Sequence, residues 1–171
     1  MEKINVIRIV SNHLETLRLY RSQNLSKKDL ALFYLVPMVV SATAIYAGYS
    51  LNDEVAGILL AAFAVLTGFL LNLLVFLYDM IQKSPSEKSE DPEINRINDL
   101  RKIILKETYF NISYCILVGL ILTVFLVVGL ISLRWVNCAA SFIVFSLVGN
   151  FLLTLLMVLK RFNVLIQEKL D

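Results

Sequence analysis

Apolar and polar positions alternate in two distinct ways along this chain. Over 30–50, 55–78, 109–133 and 138–159 there is no Asp, Glu, Lys, Arg or His, and nearly every position is apolar. The core of the second stretch, AGILLAAFAVLTGFLLNLLVFLY, covers about 34 Å as a helix at about 1.5 Å per residue, enough to cross a hydrocarbon layer of about 30 Å with a little tilt. The other three are of similar length. Four transmembrane helices are therefore expected at those four places.

Outside them the pattern becomes amphipathic. In 1–29, Ile4, Ile7, Val10, Leu14 and Leu17 recur at spacings of three and four, while Arg8, Ser11, Glu15 and Arg18 occupy the other face. Glu15 interrupts the basic face and no Trp or Phe anchors it, so packing against other helices is favoured over lying on lipid headgroups. Ser26 to Asp29 fits a capping box at the start of the first span. In 79–108 a Ser-rich polar loop precedes Asp91, Pro92 and Glu93, which read as an N-cap, a proline at the first helical position and a first-turn acid. Ile94, Ile97, Leu100 and Ile104 then form a stripe that runs unbroken into the third span. In the tail, 160–171, nothing stops the fourth helix, and Phe162, Leu165 and Ile166 give it an apolar face. The fold class expected is an all-α membrane protein: four transmembrane helices as two hairpins, with amphipathic helices at the N-terminus, before the third span and at the C-terminus. These three segments are expected to bury their stripes together, within one protomer, between protomers or against a soluble partner, with a cytoplasmic bundle favoured.

Composition adds little to this beyond scale. With 171 residues and 58% hydrophobic content, one membrane domain takes up most of the chain. Charge placement sets the orientation. Lysines and arginines precede the first span, lie between the second and third, and follow the fourth, whereas Arg134 alone falls on the other side. The positive-inside rule then places both termini and the middle loop in the cytoplasm of a multi-pass plasma-membrane protein. The first 30 residues have no apolar h-region, so no signal peptide is expected.

Chemistry is sparse. One histidine, His13, and two membrane cysteines, Cys115 and Cys138, assemble no metal cluster, haem site or nucleophile with its base, so neither a cofactor nor an enzymatic activity is expected. Interleaved acids make the basic segments poor candidates for nucleic acid.

Polar residues inside the spans are the remaining candidates. Ser146, Asn150 and Thr154 recur every four residues on the fourth span. Ala64, Gly68 and Asn72 do so on the second, with Thr67 beside them. Two readings stand: hydrogen bonds between closely packed helices, with Ala64 and Gly68 allowing the approach, or a water-filled path lined by Asn72, Asn150 and Thr154 around an oligomer axis. Asp79 closes the second span as a residue of the membrane interface. Pro37 should kink the first span or free a carbonyl. The 69–77 segment FLLNLLVFL aligns with FLLTLLMVL at 151–159, a match that leucine-rich spans readily give by chance.

The layout as a whole carries a resemblance. A charged amphipathic lead, a span opening KKDLALFYLVPMVVS, a second ending GFLLNLLVFLYDMI, a polar loop and a second hairpin look like the small four-span proteins of bacterial anti-phage and abortive-infection systems. That resemblance implies a membrane effector, conducting ions or perturbing the bilayer, that acts with a soluble cytoplasmic partner. It assigns no residue a role. A homo-oligomer in contact with membrane lipids is expected. The alternative is a membrane anchor that recruits a cytoplasmic protein and conducts nothing.

Overall fold

In a computed structural model, the structure describes residues 5–17, 27–83, 91–132 and 138–170. They form five helices: α1 (Val6–Thr16), α2 (Lys28–Tyr46), α3 (Asp53–Gln82), α4 (Pro92–Ser132) and α5 (Cys138–Leu170). The last four are long and apolar enough to cross a membrane, which makes this a multi-span membrane protein by helix length and hydropathy.

Local chemistry sets the helix ends. Asn5 Oδ1 accepts from the Arg8 N–H at 3.0 Å and Asn52 Oδ1 from the Val55 N–H at 2.8 Å, so α1 and α3 each begin at a capping asparagine. Asp91 Oδ1 accepts from the Glu93 N–H at 2.8 Å, with Pro92 opening α4 as its sequence predicts. The first span stops earlier than 50, because Gly48 takes φ +89° just past Tyr46. Its N–H donates to Ile45 O at 2.9 Å and that of Tyr49 to Ala44 O at 3.0 Å, a Schellman ending that closes the helix and leaves 47–50 as a turn.

α2 is irregular where Pro37 requires it. The turn Ala31–Leu35 is π-helical, with the Val36 N–H reaching back five residues to Ala31 O. Pro37 has no N–H to give to Phe33 O, four residues before it. The expected free carbonyl is therefore present.

Packing is organised around α4. α3 runs antiparallel along it, α5 packs beside it, and α1 lies against its N-terminal half; α2 packs on α5. Leu70 and Leu77 of α3, Leu105, Ile112, Leu122 and Leu126 of α4, and Val144, Phe151 and Val158 of α5 are fully enclosed. Phe63 of α3 meets Phe151 of α5 edge-on at 5.0 Å, which closes the layer behind α4. Since lipid is as apolar as leucine, such helices associate through close packing and polar contacts. Two glycines provide the closest approaches. A Cβ on Gly119 would lie 2.5 Å from Thr67 Oγ1, and one on Gly149 2.9 Å from Pro37 Cβ.

Three expectations change. The spans do not pack as two hairpins: α4 and α5 run close together, but the backbones of α2 and α3 do not approach each other among the described residues, and the turn between them is tied instead to α5 by the Leu51 N–H to Ser141 Oγ bond at 2.9 Å. The buried face of α1 matches the Ile4-to-Leu17 stripe only toward its C-terminal end: Leu17 is buried and Val10 packs against the core, but Ile7 is 81% exposed, and His13 and Thr16 join the buried side. Asn111 and Tyr114 of α4 draw His13 and Thr16 into the contact, while Arg8, Ser11 and Glu15 stay exposed. Nor do the amphipathic segments all bury their stripes within the protomer, since Ile94, Ile97 and Leu100 at the start of α4 remain exposed in it, although α4 and α5 do continue as helices beyond their apolar spans. The Ser26 cap, the Ser-rich loop and Arg134 lie outside the described residues.

Candidate functional site

Several buried polar side chains converge where α1 meets α4, α5 and the π-turn of α2. Its parts are brought together by helical spacing. His13 and Thr16, three apart on α1, face Asn111 and Tyr114, three apart on α4. His13 Nδ1 lies 2.8 Å from Asn111 Oδ1, and the imidazole stacks on the Tyr114 ring at a centroid distance of 3.9 Å and an interplanar angle of 3°. Thr16 Oγ1 sits 2.9 Å from Asn111 Oδ1 and 2.7 Å from its own helix's His13 O. The Phe33 ring of α2 meets His13 edge-on at 6.3 Å.

From Tyr114 the contact continues into the spans. Its hydroxyl donates to Asn150 Oδ1 at 2.9 Å, and Asn150 Nδ2 donates to Phe33 O at 3.0 Å, the carbonyl that Pro37 leaves free. One carboxamide thus joins α4, α5 and α2. Thr154 Oγ1 completes the asparagine by donating to its backbone oxygen at 2.9 Å. On the other flank Arg161 Nη2 of α5 is 3.0 Å from Glu107 Oε2 of α4 and donates to Thr16 O at 3.3 Å. A cation at the C-terminal carbonyls of α1 suits the helix dipole.

The electrostatics of the cluster follow from burial. His13 is 0% exposed. Burial holds its imidazole below the ordinary histidine range; the Asn111 hydrogen bond opposes this, and the Arg161 cation adds to it. Three buried atoms here have no partner among the described residues: His13 Nε2, Asn111 Nδ2 and Arg161 Nη1. A cleft of about 500 Å³, bordered by Thr16, Asp29, Phe33, Met157, Lys160 and Arg161, opens beside them. Such a cluster binds helices to one another, and it has no nucleophile beside a base. Among the described residues no three His, Cys, Asp or Glu side chains gather to hold a metal.

The candidates read from the sequence divide between the inside and the outside of the protomer. Asn150 and Thr154 are buried and hydrogen-bonded as above. Thr67 is buried against Gly119, with Oγ1 in the path of that glycine's Cα–H and no hydrogen-bond partner. Ser146 is half-buried and its Oγ is likewise unpartnered. Asn72, Ala64 and Gly68 are instead exposed on α3, and nothing lies within 4 Å of a Cβ built on Gly68. The close packing expected of Ala64 and Gly68 is therefore absent within the protomer, and within it Asn72 lies apart from Asn150 and Thr154. Asp79 is exposed and pairs with Lys83 one turn on, at 2.6 Å. Pro37 is buried against Gly149.

Sequence reasoning passed over Thr16, Asn111 and Tyr114 as site residues and weighed His13 only as a metal or haem ligand or a catalytic base. The signal that could have found them is a pair of matched three-residue spacings, His13/Thr16 and Asn111/Tyr114, one on a polar helix and one at the edge of a span. No protein-family model, curated protein or solved structure matches the chain, so the site is interpreted from its own residues.

Proposed function

We propose that this protein is an oligomeric integral-membrane effector, conducting ions or perturbing the bilayer, whose state is set from the cytoplasm through α1. The observation that carries the reading is the polar chain from His13 through Tyr114 and Asn150 to Phe33 O. A short amphipathic helix at the membrane edge is held by the same residues that hold the π-turn of the first span, so moving α1 changes the contacts of α2. A soluble partner that captures α1 through its exposed side, where Ile7 and Arg8 lie, would act on the spans by differential affinity for the two arrangements.

Charge placement supports an orientation with both termini inside a plasma membrane. The second part of the proposal concerns α3. Its outward face carries Ala64, Gly68 and Asn72 within an uncharged stretch, where small residues admit a second helix and a carboxamide in hydrocarbon gains from a partner. Copies of the chain meet along this face, and Asn72 then lies at the oligomer contact. The resemblance in layout gives the setting, phage defence with a soluble sensor as partner.

The test is membrane potential in cells producing the wild-type protein, with and without its partner, beside Asn111→Leu, which frees α1. Depolarisation by Asn111→Leu at unchanged membrane levels is the expected result. A second reading, a non-conducting anchor, is favoured by one observation: Asn150 and Thr154 are satisfied inside the protomer. An unchanged potential in every case, with the partner still drawn to the membrane, would establish the anchor and end the effector reading.

A further inference from the structure

His13 is the chain's one histidine, and histidine is the side chain whose ordinary titration falls nearest neutral pH. Its surroundings accept only the neutral ring. Nδ1 carries the proton it donates to Asn111 Oδ1 at 2.8 Å, while Nε2 is buried and meets no hydrogen-bonding atom among the described residues. A second proton would create a buried N–H with no acceptor and a buried cation with no counter-ion.

The groups around it offer no compensation. From α4 come Glu107, Asn111 and Tyr114, and Glu107 is already paired with Arg161 at 3.0 Å. From α5 comes Arg161, a like charge. From α2 come the Phe33 ring edge, Tyr34 beside Tyr114, and Asp29 across the cleft. On α1 itself Glu15 is exposed and Thr16 is engaged with Asn111. The cleft borders Thr16 and Arg161, and so opens a route for a proton to the edge of the contact.

We infer that protonation of His13 releases α1 from α4, so that the contact is a latch opened by acid. This rests on the control through α1 proposed above and names a signal that would operate it. The direction follows from linkage. Undocked, the imidazole titrates at its ordinary 6.5; docked, it lies lower, mainly through burial. Docking is at full strength above 6.5 and weakens as the pH falls below it, by about tenfold per pH unit until the docked ring itself takes a proton.

The experiment uses the full chain in lipid nanodiscs, labelled with nitrogen-15 at its single histidine. Ring shifts are followed by NMR from pH 8 to pH 5, and hydrogen exchange over residues 9–13 is measured on the same samples and corrected for intrinsic rates. The expected result is an Nδ1-protonated neutral ring at pH 8, a midpoint below 6.5, and a fall in protection that follows the titration and is absent in His13→Gln. Protection that stays constant through the titration, or that falls equally in His13→Gln, would overturn the latch. Neither readout involves conduction. If Asn111→Leu depolarises cells while protection is flat with pH, control through α1 stands and the acid switch does not.

Discussion

The fourth and second spans carry the same device in sequence, polar or small residues every four positions, and the structure uses them in opposite ways. On α5, Asn150 and Thr154 point into the protomer, where Asn150 joins Tyr114 to the carbonyl that Pro37 frees. On α3, Ala64, Gly68 and Asn72 point away from it, and only the Thr67 side of that helix meets α4. A polar repeat in a span therefore signals that a contact exists without saying with whom. What decides is the rest of the helix. α3 has Phe63, Leu70 and Leu77 on the face that meets its neighbour, so its small face is left over, whereas α5 sits between α4 and α2 and has polar groups on both of them to satisfy.

The largest effect should come from Asn150→Leu. It removes the partners of both Tyr114 Oη and Phe33 O, and about 2 to 4 kcal/mol of protomer stability should be lost in unfolding measurements in mixed micelles. Next is Gly119→Ala. Its Cβ would lie 2.5 Å from Thr67 Oγ1, and pushing α3 from α4 should cost about 1 to 3 kcal/mol. Gly68→Ala is its control, since nothing lies within 4 Å of the added carbon, and protomer stability should move by no more than about 0.5 kcal/mol. An equal loss from both glycines would break the distinction between the two faces.

Asn72→Leu should leave protomer stability alone and weaken self-association by about 0.6 to 2 kcal/mol, roughly three- to thirtyfold in a dimerisation constant measured by energy transfer in vesicles. A smaller loss than that of Asn150→Leu is expected in Tyr114→Phe. It keeps the stack on His13 and loses the hydrogen bond to Asn150 and the contact with Tyr34, about 0.6 to 1.7 kcal/mol in the same unfolding assay.

How legible the molecule was in its sequence depended on the range of the interaction. The four spans, the Asp91–Pro92 start of α4 and the unbroken run of α5 past its apolar segment follow from composition and local caps, which one stretch of chain contains entirely. The free carbonyl before Pro37 was legible for the same reason. Its acceptance of a hydrogen bond from Asn150 was not, because that bond joins residues 117 positions apart. The face of α1 was legible only in part: hydrophobic periodicity picks out Val10 and Leu17 but not His13 and Thr16, whose neighbours on α4 are Asn111 and Tyr114. The absence of a first hairpin was hidden too, since a short turn between spans fixes their order and direction without requiring them to pack.

Cysteine cross-linking in native membranes tests the account most directly, with single cysteines at 68, 72, 150 or 154 in a background carrying Cys115→Ala and Cys138→Ala. Covalent dimers should form through Gly68→Cys and Asn72→Cys and be absent for Asn150→Cys and Thr154→Cys. Dimers through 150 and 154, with none through 68 and 72, would place the polar face of α5 at the contact between copies and contradict the division between an inner and an outer face.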